Sequence, residues 1–168
     1  MNCLIIAGGM GTRIGDPEKA IIEIEGETIL ERSVRCLRCI CDAWYALIDP
    51  SMQRTKKILR TLGISIMEKE RGGYIEDLNY ALGIIWKFPI LVAPGDLYII
   101  RCQDILERIR YALTLDKAVI SFVDGGKFTG LSLFKDFGGS YTNVDISGYA
   151  MNVNTPDDLE KVRGMDKT

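Results

Sequence analysis

The sequence predicts a three-layer α/β domain of the Rossmann-like kind, with a mostly parallel mixed sheet, over its whole length of 168 residues. Three observations carry this expectation. Short apolar runs of strand length alternate with longer stretches whose apolar residues recur at helical spacing. The run Pro89–Pro94 is fully apolar, as suits a buried strand. Finally, the apolar run Leu4-Ile5-Ile6-Ala7 feeds directly into Gly8, Gly9 and Gly11, and ligands in such sheets sit at the carboxyl ends of strands.

In chain order, the first strand is followed by Ala20–Leu30, where Ile22 and Ile24 alternate with Glu23 and Glu25 before Gly26, the pattern of a short hairpin. Thr28-Ile29-Leu30-Glu31 is a capping box: a threonine cap with an acid three residues on. It opens a helix that presents Leu30, Val34, Leu37 and Cys41 on one face. Residues 43–48 read as a second strand. Asp49-Pro50-Ser51 turns into a helix with Met52, Thr55, Ile58, Leu59 and Leu62 inward, ended by Gly63 before a strand at 64–67. A helix after Tyr74 carries Ile75, Leu78, Leu82 and Ile85 on one face, and Pro89–Pro94 is the next strand, ending at Gly95-Asp96.

Residues 103–115 are helical and 118–123 form a strand. Asp124-Gly125-Gly126 is a hairpin turn into a strand at 128–134. Residues 138–147 are polar and glycine-rich and carry no clear pattern. A last strand spans 149–154. Thr155-Pro156-Asp157-Asp158 then opens the final helix with a threonine cap, proline at the first helical position and an acid three residues after the cap.

Composition narrows the function. An apolar content of 47% is ample for one core, and a net charge of −2 leaves no electrostatic footprint for nucleic acid. No 18-residue apolar run and no basic leader occur, so the expectation is a soluble, cytoplasmic protein without membrane partners. Five cysteines (Cys3, Cys36, Cys39, Cys41, Cys102) at irregular spacing argue against a disulfide framework. The cluster Cys36, Cys39, Cys41 lacks a fourth zinc ligand, so small buried or interface thiols are expected. There is no histidine. That removes Ser-His and Cys-His nucleophiles and histidine-linked intermediates. The lysine-linked nucleotidyl route lacks its K-x-D-G signature too, since Phe122 stands where the lysine would be, two residues before Asp124-Gly125. Catalysis must rest on positioning, cations and carboxylates.

The stretch Leu4–Lys19, LIIAGGMGTRIGDPEK, is where those cations gather. Glycines let backbone N–H groups approach phosphate oxygens, and Arg13 and Lys19 add positive charge, which suits a nucleoside triphosphate. Neither the Walker loop nor the dinucleotide fingerprint fits: Gly15 is followed by Asp16, and the last glycine position of G-x-G-x-x-G is Ile14. Asp96 emerges from an apolar strand at the sheet edge, while Asn152 and Asn154, two apart on a strand, share a face. One hard carboxylate with an Asn oxygen matches Mg²⁺ held largely by phosphates and water. Asp96 could equally be a turn residue, and the asparagines could satisfy backbone near the following cap.

These motifs carry a family resemblance. LIIAGGMGTRIGDPEK resembles the L-x-A-G-G-x-G-x-R-x-G…K signature of nucleotidyltransferases with the GT-A-like fold. Pro94-Gly95-Asp96 is similar to their metal-binding strand end, and MNVNTPDDL to the N-I-N-T-P-x-D-L ending of guanylyl-transferring members. Gly73-Tyr74-Ile75-Glu76-Asp77-Leu78-Asn79 resembles the archaeal GTP:adenosylcobinamide-phosphate guanylyltransferases within them.

The resemblance implies roles by position. Ala7, Gly8, Gly9 and Gly11 would line the nucleotide; Arg13 and Lys19 would hold the triphosphate and stabilise the departing pyrophosphate. Asp96 and Asn154 would hold Mg²⁺, with Asn152 beside them. Gly72, Gly73 and Tyr74 would border base and ribose, and Gly130 would leave room near the nucleotide. Implied partners are GTP and adenosylcobinamide phosphate, with a homodimer left open. A molybdenum-cofactor guanylyltransferase, which has nearly the same first and last motifs, and a sugar-phosphate nucleotidylyltransferase are the alternatives, and a non-catalytic nucleotide sensor is the reading from another class. Residues 123–149 do not align with an acceptor region, so the acceptor contacts stay unassigned.

Overall fold

The computed structural model describes residues 1–7, 16 and 18–165. Its elements run β1 (Asn2–Ile6), a 3-10 turn (Lys19–Ile21), β2 (Glu23–Ile24), β3 (Glu27–Thr28), α1 (Ile29–Leu37), a 3-10 turn (Arg38–Ile40), β4 (Ala43–Ile48), α2 (Gln53–Thr61), β5 (Ser65–Glu68) and α3 (Tyr74–Ile85). There follow β6 (Ile90–Pro94), β7 (Leu97–Ile99), α4 (Cys102–Thr114), β8 (Val119–Asp124), β9 (Lys127–Phe134), β10 (Tyr141–Asp145), β11 (Ala150–Asn152) and α5 (Pro156–Arg163).

Seven strands form one sheet in the order β10-β8-β9-β6-β1-β4-β5. β9 runs antiparallel to both of its neighbours and the remaining pairs are parallel, so the sheet is mixed and mostly parallel, as expected. The two-residue period of β1 divides the core. Leu4 and Ile6 pack with Leu78, Ala81, Leu82 and Ile85 of α3 on one face. Ile5 and Ala7 pack with Leu30, Val34 and Leu59 of α1 and α2 on the other. Cys36, Leu37, Ile105 and Ile109 join that second side to α4, completing three layers.

Both capping boxes form. The Thr28 hydroxyl accepts from Glu31 N (3.0 Å) and Thr155 from Asp158 N (3.1 Å), with each acid returning a bond to the cap. The first hairpin forms with Glu25 and Gly26 both at positive φ, and Gly125 and Gly126 do the same in the β8–β9 turn.

Several expectations are corrected. Ile75 is 65% exposed, and Ala81 takes its place on the buried face of α3. Cys41 lies beyond α1, which ends at Leu37. Residues 141–145, within the stretch without a clear pattern, form the edge strand β10, pairing parallel with β8. β7 was not anticipated: Leu97-Tyr98-Ile99 pairs antiparallel with β11 in a separate two-stranded sheet. Three residues are too few for a sequence period to register. The cysteines also differ from expectation. Cys3 is bonded to Cys41 and Cys36 to Cys102, with Cys39 free and exposed. The pairs join residues 38 and 66 apart, brought together by β4 alongside β1 and by α1 against α4; spacing along the chain does not report such neighbours.

The small sheet is anchored to α1 by polar groups. Arg32, buried, donates from Nε to the Ile99 carbonyl and from Nη2 to that of Ile100 (2.9 Å), and its guanidinium lies 4.9 Å from the Tyr98 ring centroid. Ser33 Oγ donates to the Leu97 carbonyl (3.1 Å). Removing a donor strands buried carbonyls, each at about 1–3 kcal/mol. Arg32→Met is therefore expected to lower the unfolding free energy by about 2 kcal/mol or more, against about 1 kcal/mol for the α1 cap variant Thr28→Ala. Urea denaturation of both checks this; an Arg32→Met loss smaller than the cap variant's contradicts it.

Candidate functional site

The carboxyl end of β6 sets the site. Its last residues stay close to β1: Gly95 N donates to the Ile6 carbonyl (3.0 Å), and a Cβ on Gly95 would come within 3.0 Å of both Ala7 Cα and Cβ. Only glycine allows that approach without displacement. The chain then turns, so that Asp96 projects where β6 meets β7. β11 is held to the same place by its ladder with β7, and Val153 N donates to the Asp96 carbonyl (2.9 Å).

Four predicted residues meet there. Lys19 Nζ donates to Asp96 Oδ2 (2.8 Å) and to Asn154 Oδ1 (3.1 Å). Asn152 Nδ2 donates to Asp96 Oδ1 (3.1 Å) and to the Thr129 carbonyl (2.9 Å), tying the carboxylate to β9. Both oxygens of Asp96 are thus engaged. Lys19 is only 9% exposed, so its charge is balanced inside the protein rather than by water. The strand ends at Asn152, and Asn154 reaches the junction from the turn before α5, where its N–H donates to Asp158 Oδ2 (3.0 Å).

Lys19 is aimed by its neighbour. Glu18, buried, accepts from Thr55 N (2.8 Å), Thr55 Oγ1 (3.0 Å) and Arg54 Nε (2.7 Å) at the start of α2. Arg54 also reaches Asp16 (2.9 Å). Burial alone would raise the Glu18 carboxyl, but the Thr55 backbone N–H and the Arg54 guanidinium outweigh it and hold it below the ordinary glutamate range. The sequence reading placed Thr55 on the inward side of α2 but gave no site role to Glu18, Thr55 or Arg54; that one inward threonine was the available signal, since Arg54 is exposed.

A cleft opens beside the junction, lined by Ile6, Ala7, Lys19, Ala20, Met52, Arg71, Gly72, Tyr74, Asp77, Pro94, Gly95 and Asp96. Ala7, Lys19, Gly72, Tyr74 and Asp96 thus share one cavity wall. Gly73 is the N-cap of α3 behind Gly72, and Tyr74 is half-exposed. Gly130 has φ +87°, and a Cβ there would press on the Pro94 ring at 3.1 Å, so the room it leaves is filled by Pro94. Gly8, Gly9, Gly11 and Arg13 lie outside the described residues. Among the described residues no group of three or more His, Cys, Asp or Glu could hold a metal ion, and no helix is long and apolar enough to cross a membrane.

A family model described as the MobA-like NTP transferase domain matches residues 3–137. An adenosylcobinamide-phosphate guanylyltransferase of Methanocaldococcus jannaschii is 30% identical over 117 residues, 66% of this chain and 59% of that protein. A molybdenum cofactor guanylyltransferase of a Shewanella species is 24% identical over 131 residues, 76% of this chain and 64% of that protein. The chain spans less than two thirds of the length of either relative. Among solved structures, the molybdopterin-guanine dinucleotide biosynthesis protein A of Archaeoglobus fulgidus superposes with a TM-score of 0.67 at 14% identity, covering 97% of both chains. The expected GT-A-like fold is therefore present.

The Glu18 clamp yields a pH prediction. A carboxyl whose folded-state pKa is depressed contributes stability that is complete above its unfolded value and lost as pH falls through the folded one. Glu18→Gln should therefore be less stable than the wild type at neutral pH, and the difference should shrink as pH falls through the acidic range below the ordinary glutamate value. Thermal melts of the two proteins from pH 7 to pH 3 measure it; a pH-independent difference contradicts the clamp.

Proposed function

The chain belongs to the MobA-like NTP transferase family, and on that premise we propose that it transfers GMP from GTP to adenosylcobinamide phosphate, giving adenosylcobinamide-GDP and pyrophosphate. The observation that carries this reading is the meeting of Lys19, Asp96 and Asn154 at one end of the sheet, beside a cleft lined by Ala7, Gly72 and Tyr74. Support for guanylyl transfer comes from both relatives, each named a guanylyltransferase. Support for the acceptor comes from the M. jannaschii relative and from the G-Y-I-E-D-L-N run at Gly73–Asn79. A molybdenum-cofactor acceptor is the second reading, favoured by the Shewanella relative. The described residues build one seven-stranded sheet with its small companions, which supports treating 1–168 as one nucleotidyltransferase domain.

The residues act as follows. The acceptor's phosphate oxygen is anionic at neutral pH, so attack on the α-phosphorus of GTP needs no general base, and the chain has no histidine to supply one. The protein contributes orientation and stabilisation of developing charge. Arg13 grips the triphosphate with its planar fork, and Lys19 carries its charge toward the α-phosphate, where attack concentrates negative charge.

Asp96 and Asn154 would hold Mg²⁺. Their oxygens already converge on a single cation, the Lys19 ammonium, and one carboxylate plus one amide oxygen suits an ion that keeps water and phosphate ligands. When bound, Mg²⁺ neutralises charge on the phosphates. Lys19, the cation between Asp96 and Asn154, would turn its charge to the nucleotide, while Asn152 keeps the carboxylate oriented through its bonds to Asp96 and to the Thr129 carbonyl.

The test is pyrophosphate release with GTP, ATP, CTP and UTP across adenosylcobinamide phosphate, molybdopterin and sugar phosphates. Release with GTP and adenosylcobinamide phosphate alone is expected; release with another acceptor only would overturn the assignment. Asp96→Ala should abolish turnover while metal-free GTP binding survives better. Lys19→Ala should mainly lower kcat, and Arg13→Ala should raise the KM for GTP at least as much, which steady-state kinetics will separate. A Lys19→Ala enzyme with unchanged kcat and raised KM makes that lysine a binding residue only.

A further inference from the structure

Among the described residues, the cleft is lined besides Asp96 by one further acid, to which the family signature assigns no role. Asp77 sits in the first turn of α3 and is 7% exposed, yet it lines the cleft together with apolar Ile6, Met52 and Pro94. Its carboxylate is half used. Oδ1 accepts from Lys69 Nζ (2.8 Å) and from Gly72 N (3.2 Å), and among the described residues Oδ2 has no partner. A carboxylate offers about four acceptor sites. Burying one with acceptor capacity unmet is costly unless a partner completes it. The two existing bonds fix the group's orientation and brace residues 69–72 against α3.

We propose that Asp77 reads the guanine base, accepting hydrogen bonds from its N1–H and exocyclic amino group. This rests on the guanylyl-transfer reading above. The chemistry discriminates on its own. An ionised carboxylate is acceptor-only, and guanine presents two adjacent donors on that edge, whereas adenine presents the N1 acceptor there and meets Asp77 with lone pairs opposed. A site built to satisfy buried polar groups rejects a ligand that leaves them unpaired. The apolar wall from Ile6, Met52 and Pro94 suits the faces of a planar base.

The competing view is that Asp77 only braces the Lys69–Gly72 turn. Asp77→Asn separates the two, because its amide keeps an oxygen for Lys69 and Gly72 N but replaces the second acceptor by a donor. Calorimetry on the full chain with GTP, ATP and xanthosine triphosphate is the experiment. The wild type should prefer GTP. Asp77→Asn should lose about tenfold or more in GTP affinity and gain xanthosine triphosphate, whose O2 carbonyl accepts from the new amide. An unchanged GTP preference in Asp77→Asn overturns the assignment but leaves guanylyl transfer standing. A wild type that does not prefer GTP to ATP overturns both. If the variant does not fold, the wild type is titrated with inosine triphosphate and N1-methyl-GTP; affinities equal to that for GTP overturn the proposal, and a loss with each supports it.

Discussion

A buried ammonium needs oxygen around it, and the way this chain satisfies Lys19 organises the rest of the structure. Its partners, Asp96 and Asn154, lie 77 and 135 residues further along. To bring them within hydrogen-bond reach, the fold must place the segment after β1, the end of β6 and the turn after β11 at one point. Each is held by its own device. Glu18 ties the Lys19 segment to α2, the Gly95 contact keeps β6 against β1, the β7–β11 ladder delivers Asn152, and the cap of α5 holds Asn154. Loss of one partner would leave an uncompensated charge in a largely dry place, at several kcal/mol, so the junction locks these segments together as well as marking the site.

The cleft brings charged and apolar groups together. At the junction, Lys19, Asp96, Asn152 and Asn154 are joined by hydrogen bonds, and the cleft beside it is lined by apolar Ile6, Met52 and Pro94 as well as by Arg71 and Asp77. A nucleotide carries both kinds of surface, with charged phosphates at one end and a flat, mostly apolar base at the other. Ile6, the last residue of β1, and Ala7 after it line this cleft. On the proposed function, such a cleft would orient a nucleotide before any acceptor arrives, and orientation is a main contribution available to a chain without a histidine.

Much of this was legible in the sequence because the signals are local or periodic. The capping boxes at Thr28 and Thr155 need only four residues each, and the apolar run before Gly95 identifies the central strand without reference to the remainder. Lys19, Asp96, Asn152 and Asn154 could be singled out by residue type at strand ends. What escaped notice depends on neighbours far apart in the chain. The cysteine pairs follow from which elements pack, not from spacing. β7 is three residues long, and β10 is an edge strand with one buried residue, Val144, so neither shows a period. Arg32 and Glu18 stand out by no local pattern, yet both are buried and bonded to backbone groups far along the chain. Asp77 was quoted only as part of a motif; its half-used carboxylate is visible only once Lys69 and Gly72 are placed around it.

The central claim is that this junction transfers a nucleotidyl group, so the most direct measurement follows the phosphorus. The enzyme is incubated with Mg²⁺, adenosylcobinamide phosphate and GTP carrying ³²P at either the α or the γ position, and the cobinamide product is separated and counted. Attack at the α-phosphorus predicts label in the product from α-labelled GTP and in pyrophosphate from γ-labelled GTP. Label in the product from the γ position, or in neither product, would contradict the account.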